Sequence, residues 1–407
     1  MDPMRSSAQR PTSVALRRAC VLTAVSGVLA ASFGTVPATA TAECSPTVTV
    51  LTSPFGPGEV QSKAINDRGD IVGFATVTDP ATPRRSPAIH AVLWKHGRSD
   101  AVVDLGVLPG YVSSEAYGVN NDRIVVGLLY DKRGRTFPFH WERGHMTVLK
   151  GPRGHRRQAQ TAQRNSINNR GQIAGTLVIR GQLRAVRWSP SGRARMLGTL
   201  PGHAWSYAFG INDDGLVSGW SRRKPSSSGA ENPVVWPRPG KVVALQTAPD
   251  RADGIAEATN SHGLSVGYLG NQTPKEPERD EARVWSSHHA TPRLLASVSA
   301  KHTLAELVDV NDQGQAAGMS GTFVEKGGNG FPSSMVPAVW QKGWASLRAL
   351  PLPPVQQGPP VVIATVHDIN AEGVVVGDVF RLDRPDPSAL RSIDPVVWTC
   401  AFATDRS

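Results

Sequence analysis

What this sequence lacks narrows its chemistry before any motif is considered. Cysteine is scarce: Cys20, Cys44 and Cys400 are the only three in 407 residues. Beyond the first 42 residues no apolar run approaches the ~20 residues that cross a bilayer. Acidic residues are the minority, 33 Asp and Glu against 44 Lys and Arg, for a formal net charge of +11. That balance bears on solubility and on the sign of partners rather than on fold.

Residues 1–42 read as an export signal peptide. Arg5, Arg10, Arg17 and Arg18 precede an apolar run from Ala19 to Phe33, and Ala40-Thr41-Ala42 has the small-x-small form of a cleavage site. Removal would leave residues 43–407 as a secreted, extracellular chain. Arg17-Arg18 suggests the twin-arginine route, although the residues after it fit that signal poorly, so Sec export stays open. A retained N-terminal anchor is the alternative, opposed by the shortness of the run. Cys20 leaves with the signal, and Cys44 and Cys400 then stand near the two ends of an exported chain, where a disulfide is expected. Cys44 as a lipid anchor is poorly served by Ala42-Glu43 before it.

One pattern organises the remainder. A segment of the form of Ile167-Asn168-Asn169-Arg170-Gly171 occurs seven times, at Asn66, Asn120, Asn168, Asn212, Asn260, Asn311 and Asn370. Each asparagine is followed seven places later by glycine, from Gly73 to Gly377, and six of the seven have glycine three places on. Arg123 is the exception. Asparagine opens a turn by bonding nearby backbone N–H groups, and glycine closes it in the left-handed region. Short runs such as Val374-Val375-Val376 supply the strands.

A tryptophan with alanine or proline three places before it is the second mark of each unit, as in Ala91 with Trp94, Pro233 with Trp236 and Pro395 with Trp398. Four strands per unit follow from these marks, at a period far too long for a β-helix. Such units bury their faces against one another in a β-propeller. The seventh unit runs out after Trp398, while Thr47-Val48-Thr49-Val50-Leu51 stands alone before the first. The expectation is an all-β, seven-bladed β-propeller over residues 43–407, closed by the N-terminal strand completing the C-terminal blade. Aligning Leu51 with Leu105 and Trp398 with Trp94 sets Cys44 and Cys400 on either side of one hairpin turn, within disulfide reach.

The repeat resembles that of the bacterial HAF-repeat proteins, an extracellular family. The resemblance rests on the Ile-Asn-x-x-Gly-x-x-x-Gly motifs, on His90-Ala91-Val92-Leu93-Trp94, and on Asp104-Leu105-Gly106-Val107-Leu108-Pro109-Gly110 with its echo Leu197-Gly198-Thr199-Leu200-Pro201-Gly202. It covers residues 47–400 and implies a secreted repeat protein, without an activity to carry over. The WD-type and kelch-type signatures are absent.

Residues repeated in every unit make a scaffold, so function is expected where the units differ. No cofactor, metal site or catalytic residue is assigned. Asn66-Asp67-Arg68-Gly69-Asp70 loosely resembles a calcium loop, but the equivalent Asn168-Asn169-Arg170-Gly171 has no carboxylate, so a plain turn is favoured. His288-His289 and His367-Asp368 read as structural. The long loops of units one to four hold fifteen Lys and Arg against four acids. Arg84, Arg85, Lys132, Arg133, Arg135, Arg153, Arg156, Arg157, Arg222, Arg223 and Lys224 are the candidates for binding a polyanion such as a teichoic acid, an acidic polysaccharide or nucleic acid. Tyr111, Trp205 and Tyr207 are candidates for stacking on a glycan, with packing beneath the loops as the alternative. The leading expectation is an extracellular binding or scaffold module for an anionic polymer, a glycan or a cell-surface protein. The rivals are a glycosidase- or lyase-type enzyme with carboxylates at the central channel, and a structural protein without a small ligand.

Overall fold

The computed structural model describes residues 45–53, 55–56, 58–77, 88–152, 160–161, 167–223, 231–270, 280–326, 329–354, 361–383 and 390–402. The proposed export signal and Cys44 lie outside these residues.

Strand β1 (Thr47–Val50) precedes the first unit, which consists of β2 (Val60–Ile65), β3 (Ile71–Val77), β4 (Ala88–Trp94) and β5 (Val102–Gly106). Unit two is β6 (Ser113–Val119), β7 (Val125–Tyr130), β8 (Thr136–Glu142) and β9 (His145–Val148). Unit three is β10 (Gln160–Thr161), β11 (Ile173–Ile179), β12 (Gln182–Trp188) and β13 (Ala194–Met196). Unit four is β14 (Trp205–Ile211), β15 (Val217–Arg222), β16 (Asn232–Arg238) and β17 (Lys241–Ala244). Unit five is β18 (Asp253–Thr259), β19 (Ser265–Gly270), β20 (Asp280–Trp285) and β21 (Arg293–Leu294). Unit six is β22 (Leu304–Val310), β23 (Gln315–Lys326), β24 (Asn329–Gln341) and β25 (Arg348–Ala349), and unit seven is β26 (Val361–Ile369), β27 (Val375–Leu382) and β28 (Leu390–Thr399).

Within every unit, strands adjacent in sequence are adjacent in the sheet and antiparallel, as short turns require. A single parallel bridge, Met335 to Ile363, ties the sheets of units six and seven together. β1 is the fourth strand of the unit-seven sheet, with Thr47 opposite Thr399 and Val50 opposite Val396.

The repeated residues each have a mechanical reason. In unit one Asn66 Oδ1 accepts the N–H groups of Arg68 (3.0 Å) and Asp70 (2.8 Å), while Gly69 N donates to Asn66 O (3.0 Å). Arg123 takes the glycine's place in unit two at φ 59, and its Nε donates to Asp70 Oδ2 (2.8 Å) of the preceding unit. The glycine seven places after the asparagine is there for close approach. A bulge in the first strand drives a carbonyl into it, so that a Cβ on Gly73 would stand 1.9 Å from Gln61 O. Trp94, Trp188, Trp236, Trp285, Trp340 and Trp398 are fully buried, whereas Trp141 is half-buried. Indole N–H groups of Trp94, Trp188, Trp285 and Trp398 donate to the carbonyls of Thr52, Lys150, Gln246 and Pro351, just past the fourth strand of the preceding sheet. The core therefore lies between sheets: Leu51, Ile65, Ile71, Val92 and Trp94 pack with Val376 and Val397. Burying each such side chain stabilises the fold by about 1.5–3 kcal/mol.

Candidate functional site: the channel mouth and the joints around it

The asparagine turns converge at one end of the first strands. Asn66 Nδ2 donates to Asn120 O (2.9 Å), Asn120 to Asn168 O (3.2 Å), Asn168 to Asn212 O (2.8 Å) and Asn212 to Asn260 O (3.0 Å). Asn260 continues to Asn311 O (3.0 Å), Asn311 to Asn370 O (3.0 Å), and Asn370 returns to Asn66 O (3.2 Å). A second tier reinforces the cycle: the N–H groups of Asp67, Asn121, Asn169, Ser261 and Ala371 donate to side-chain oxygens of Asn121, Asn169, Asp213, Asp312 and Asp67. An amide is needed because one oxygen shapes its own turn while the nitrogen joins the next.

These turns surround a cavity of about 180 Å³. Asp67, Asp213, Asp309, Asp312 and Asp368 line it, and no lysine or arginine does among the described residues. Asp309 and Asp368 stand two places before Asn311 and Asn370, where units one, two, four and five carry Ala64, Gly118, Gly210 and Ala258. Their carboxyl groups are hydrogen-bonded to each other. Burial, and then the neighbouring Asp309 carboxyl, raise the Asp368 pKa well above the usual range. Asp368 accepts from the N–H groups of Ile65 (2.9 Å) and Ile369 (2.8 Å), and Asp309 from that of Ile369 (3.2 Å). The pair thus joins units six, seven and one.

A charged joint sits nearby between units seven and one. Asp378, fully buried, receives His367 Nε2 (2.8 Å), Ser62 N (2.9 Å) and Lys63 Nζ (3.4 Å). Burial pushes its pKa up, but the charges of Lys63 and His367 and the bonds from His367 and Ser62 outweigh that and hold it low. Within unit four, where it meets unit five, Glu231 pairs with Arg222 (3.2 Å). Burial raises its pKa to about 7, with Asp253 adding to the shift and Arg222 opposing it.

Of the sequence-expected site residues, Arg84, Arg85, Arg153, Arg156, Arg157, Lys224 and Cys44 lie outside the described residues. Lys132, Arg133 and Arg223 are exposed. Arg135 is bonded to Asp131 (2.7 Å) and lies over the Phe137 ring, and Arg222 lies over Trp220 and Trp205 at 4.9 and 5.6 Å. Tyr111 meets Phe137 edge-on at 5.3 Å, while Tyr207 stacks on Trp220 at 5.7 Å. All three candidate stacking rings thus touch partners within the protein. The calcium-like turn is occupied by its own bonds, Asp70 being engaged by Asn66, His96 and Arg123. His367 and Asp368 belong to joints, and His288 Nε2 is buried without a hydrogen-bond partner among the described residues. Sequence reading passed over Asp309 and Asp378; an alignment of the repeats exposes Asp309 as a carboxylate in a column of small residues.

No family model matches the chain, and no curated protein matches it. Solved structures do. The β-propeller domain of the trilobed protease from Pyrococcus furiosus, described as having an open velcro topology, is 8% identical over 86% of this chain and 95% of its own, with a TM-score of 0.53. A puromycin-hydrolyzing peptidase from Mycobacterium tuberculosis is 11% identical with a TM-score of 0.50; the match covers 84% of this chain but 54% of the peptidase. An oligogalacturonate lyase solved with manganese is 9% identical over 86% of this chain, with a TM-score of 0.48. At such identities the likeness is one of fold: this chain is an all-β protein of the β-propeller kind.

Proposed function

We propose that the protein is a secreted, seven-bladed β-propeller of the HAF-repeat type, closed by β1 as the fourth strand of the last blade, and that it serves as an extracellular binding module for an anionic polymer. Closure is supported by the return bond from Asn370 to Asn66 and by the shared core of units one and seven. A Cys44–Cys400 disulfide is part of this reading: Cys400 is not a free thiol, and its φ of 56 matches the 53 of His96 at the equivalent turn. Non-reducing peptide mapping that recovers both thiols free would remove it.

The observation that carries the binding assignment is the contrast between the cavity among the asparagine turns and the loops at the opposite end of the blades. Five aspartates, and among the described residues no lysine or arginine, line the cavity. In the loops between second and third strands, Lys132, Arg133 and Arg223 are exposed. A polyanion is repelled from the cavity and attracted to those loops. Titration of the secreted protein with teichoic acid, acidic polysaccharide and duplex DNA over a range of salt tests this, with neutral dextran as control. Binding to at least one polyanion should weaken steeply with salt, as counterion release requires, and the triple change Lys132→Ala, Arg133→Ala, Arg223→Ala should reduce both affinity and salt slope. Absence of binding at low salt, or binding indifferent to those changes, refutes the assignment. The enzyme reading has one observation in its favour, the carboxyl pair at the channel. Direct contact between Asp309 and Asp368 is, however, closer than the ~5–5.5 Å of retaining glycosidases, and their oxygens are committed to backbone N–H groups.

A further inference from the structure

The seam between blades two and three is built differently from four others. In those four the segment leaving a fourth strand is bonded to the turn between strands three and four of the next blade. Thr52 N donates to Ser99 Oγ (2.9 Å), Gly240 N to Leu197 O (3.1 Å), Gln246 Nε2 to His289 O (2.9 Å) and Leu347 N to Ala296 O (3.0 Å). After β9, Lys150 O takes the Trp188 indole N–H (2.7 Å), and among the described residues no bond joins this segment to the turn at 189–192. A cleft of about 360 Å³ opens there instead. That volume lies at the lower end of the ~300–1,000 Å³ typical of small-molecule sites.

The lining defines what fits. Leu149, Ile173 and Pro190 give it apolar walls, and Lys150 brings its one formal positive charge. His140 is half-buried, and burial lowers its pKa, so the ring is neutral at pH 7 and able to donate at one nitrogen and accept at the other. Ser189 and Ser191, hydrogen-bonded to each other at 2.9 Å, present hydroxyls on the far wall. No carboxylate lines the cleft among the described residues.

We infer that this cleft is a binding site for a small hydroxylated ring carrying one anionic group, that is, an acidic or phosphorylated sugar. Lys150 meets the anion, His140 and the serines meet hydroxyls, and the apolar walls cover the ring face. This site is separate from the basic loops: it adjoins turns of blade three and uses none of the residues assigned to the polymer.

Titration calorimetry of the secreted protein with glucuronate, glucose 6-phosphate and glucose tests it. At least one of the two anions should bind tenfold or more tightly than glucose. Preference between them identifies the carboxylate or the phosphate monoester as the natural group. Lys150→Ala should abolish that preference over glucose, and Ser191→Trp, at an exposed turn position, should block the anion by filling the cleft. Unchanged far-UV circular dichroism and melting temperature confirm that both variants fold. No binding by either anion, equal binding of glucose, or binding indifferent to both substitutions overturns the inference. The triple change in Lys132, Arg133 and Arg223 should leave it untouched, so the two sites fail or survive separately.

Discussion

Asn370 Nδ2 donates to Asn66 O at 3.2 Å, linking turns 304 residues apart with the same bond that links each neighbouring pair of turns. The asparagines are therefore joints between units as well as turn formers.

Asn260→Asp should separate those two roles. Asp keeps the oxygen that accepts His262 N and Leu264 N but loses the donor to Asn311 O, leaving a buried carbonyl facing a carboxylate. A loss of about 1–3 kcal/mol is expected, read as a lower urea midpoint at constant m-value. Asn260→Ala, which removes both functions, should lose more. An aspartate variant as stable as the parent at pH 7 would contradict the joint.

Two glycines of unit five should respond very differently to alanine. A Cβ on Gly267 would lie 2.0 Å from Ile255 O, so Gly267→Ala must displace the first strand and should cost more than about 3 kcal/mol or prevent folding. Gly263, at φ +79 with open space around it, carries only the left-handed penalty of about 1–2 kcal/mol. Thermal melts of the pair rank the two causes.

Arg123→Gly restores the repeat consensus, yet it should destabilise. Glycine relieves roughly 1–2 kcal/mol of left-handed strain. Against this, Asp70 is fully buried and loses its cation; such a loss reaches about 3–5 kcal/mol in a buried pair, reduced here because Arg123 is about a third exposed. Adding Asp70→Asn should recover part of the loss. The double-mutant cycle measures the coupling.

Stability should carry a pH dependence of known sign from Glu231. Its folded pKa, about 7, lies above the unfolded value, so the folded state holds the extra proton. The contribution is full below the unfolded pKa, declines as pH rises, and is gone above about 7. Glu231→Gln should flatten this decline and raise stability at pH 8. Asp378 has the opposite sign: its low folded pKa stabilises above the unfolded carboxylate range and the contribution is lost on acidification. Urea midpoints at pH 3, 5 and 8 for parent and variant distinguish the two, the step from 5 to 8 reading Glu231 and the step from 5 to 3 reading Asp378.

Local order was legible in the sequence because it is encoded locally. The asparagine turns, the glycines at fixed offsets, the buried tryptophans and four strands per unit follow from residues within one repeat, where turn geometry and strand periodicity decide. Even the exception at Arg123 was visible, although its φ of 59 and its bond to Asp70 were not. Tertiary structure alone decided which side chains meet across the units. Asp309 reaches Asp368, and Lys63 reaches His367 and Asp378, only because units six, seven and one are packed side by side. It also decided that Arg135 and Arg222 are tied to acids while Lys132, Arg133 and Arg223 are exposed, and that a cleft opens beside Lys150. A sequence lists charges and rings; desolvation, pairing and empty space are properties of the distances between them, and those exist only once the sheets are stacked.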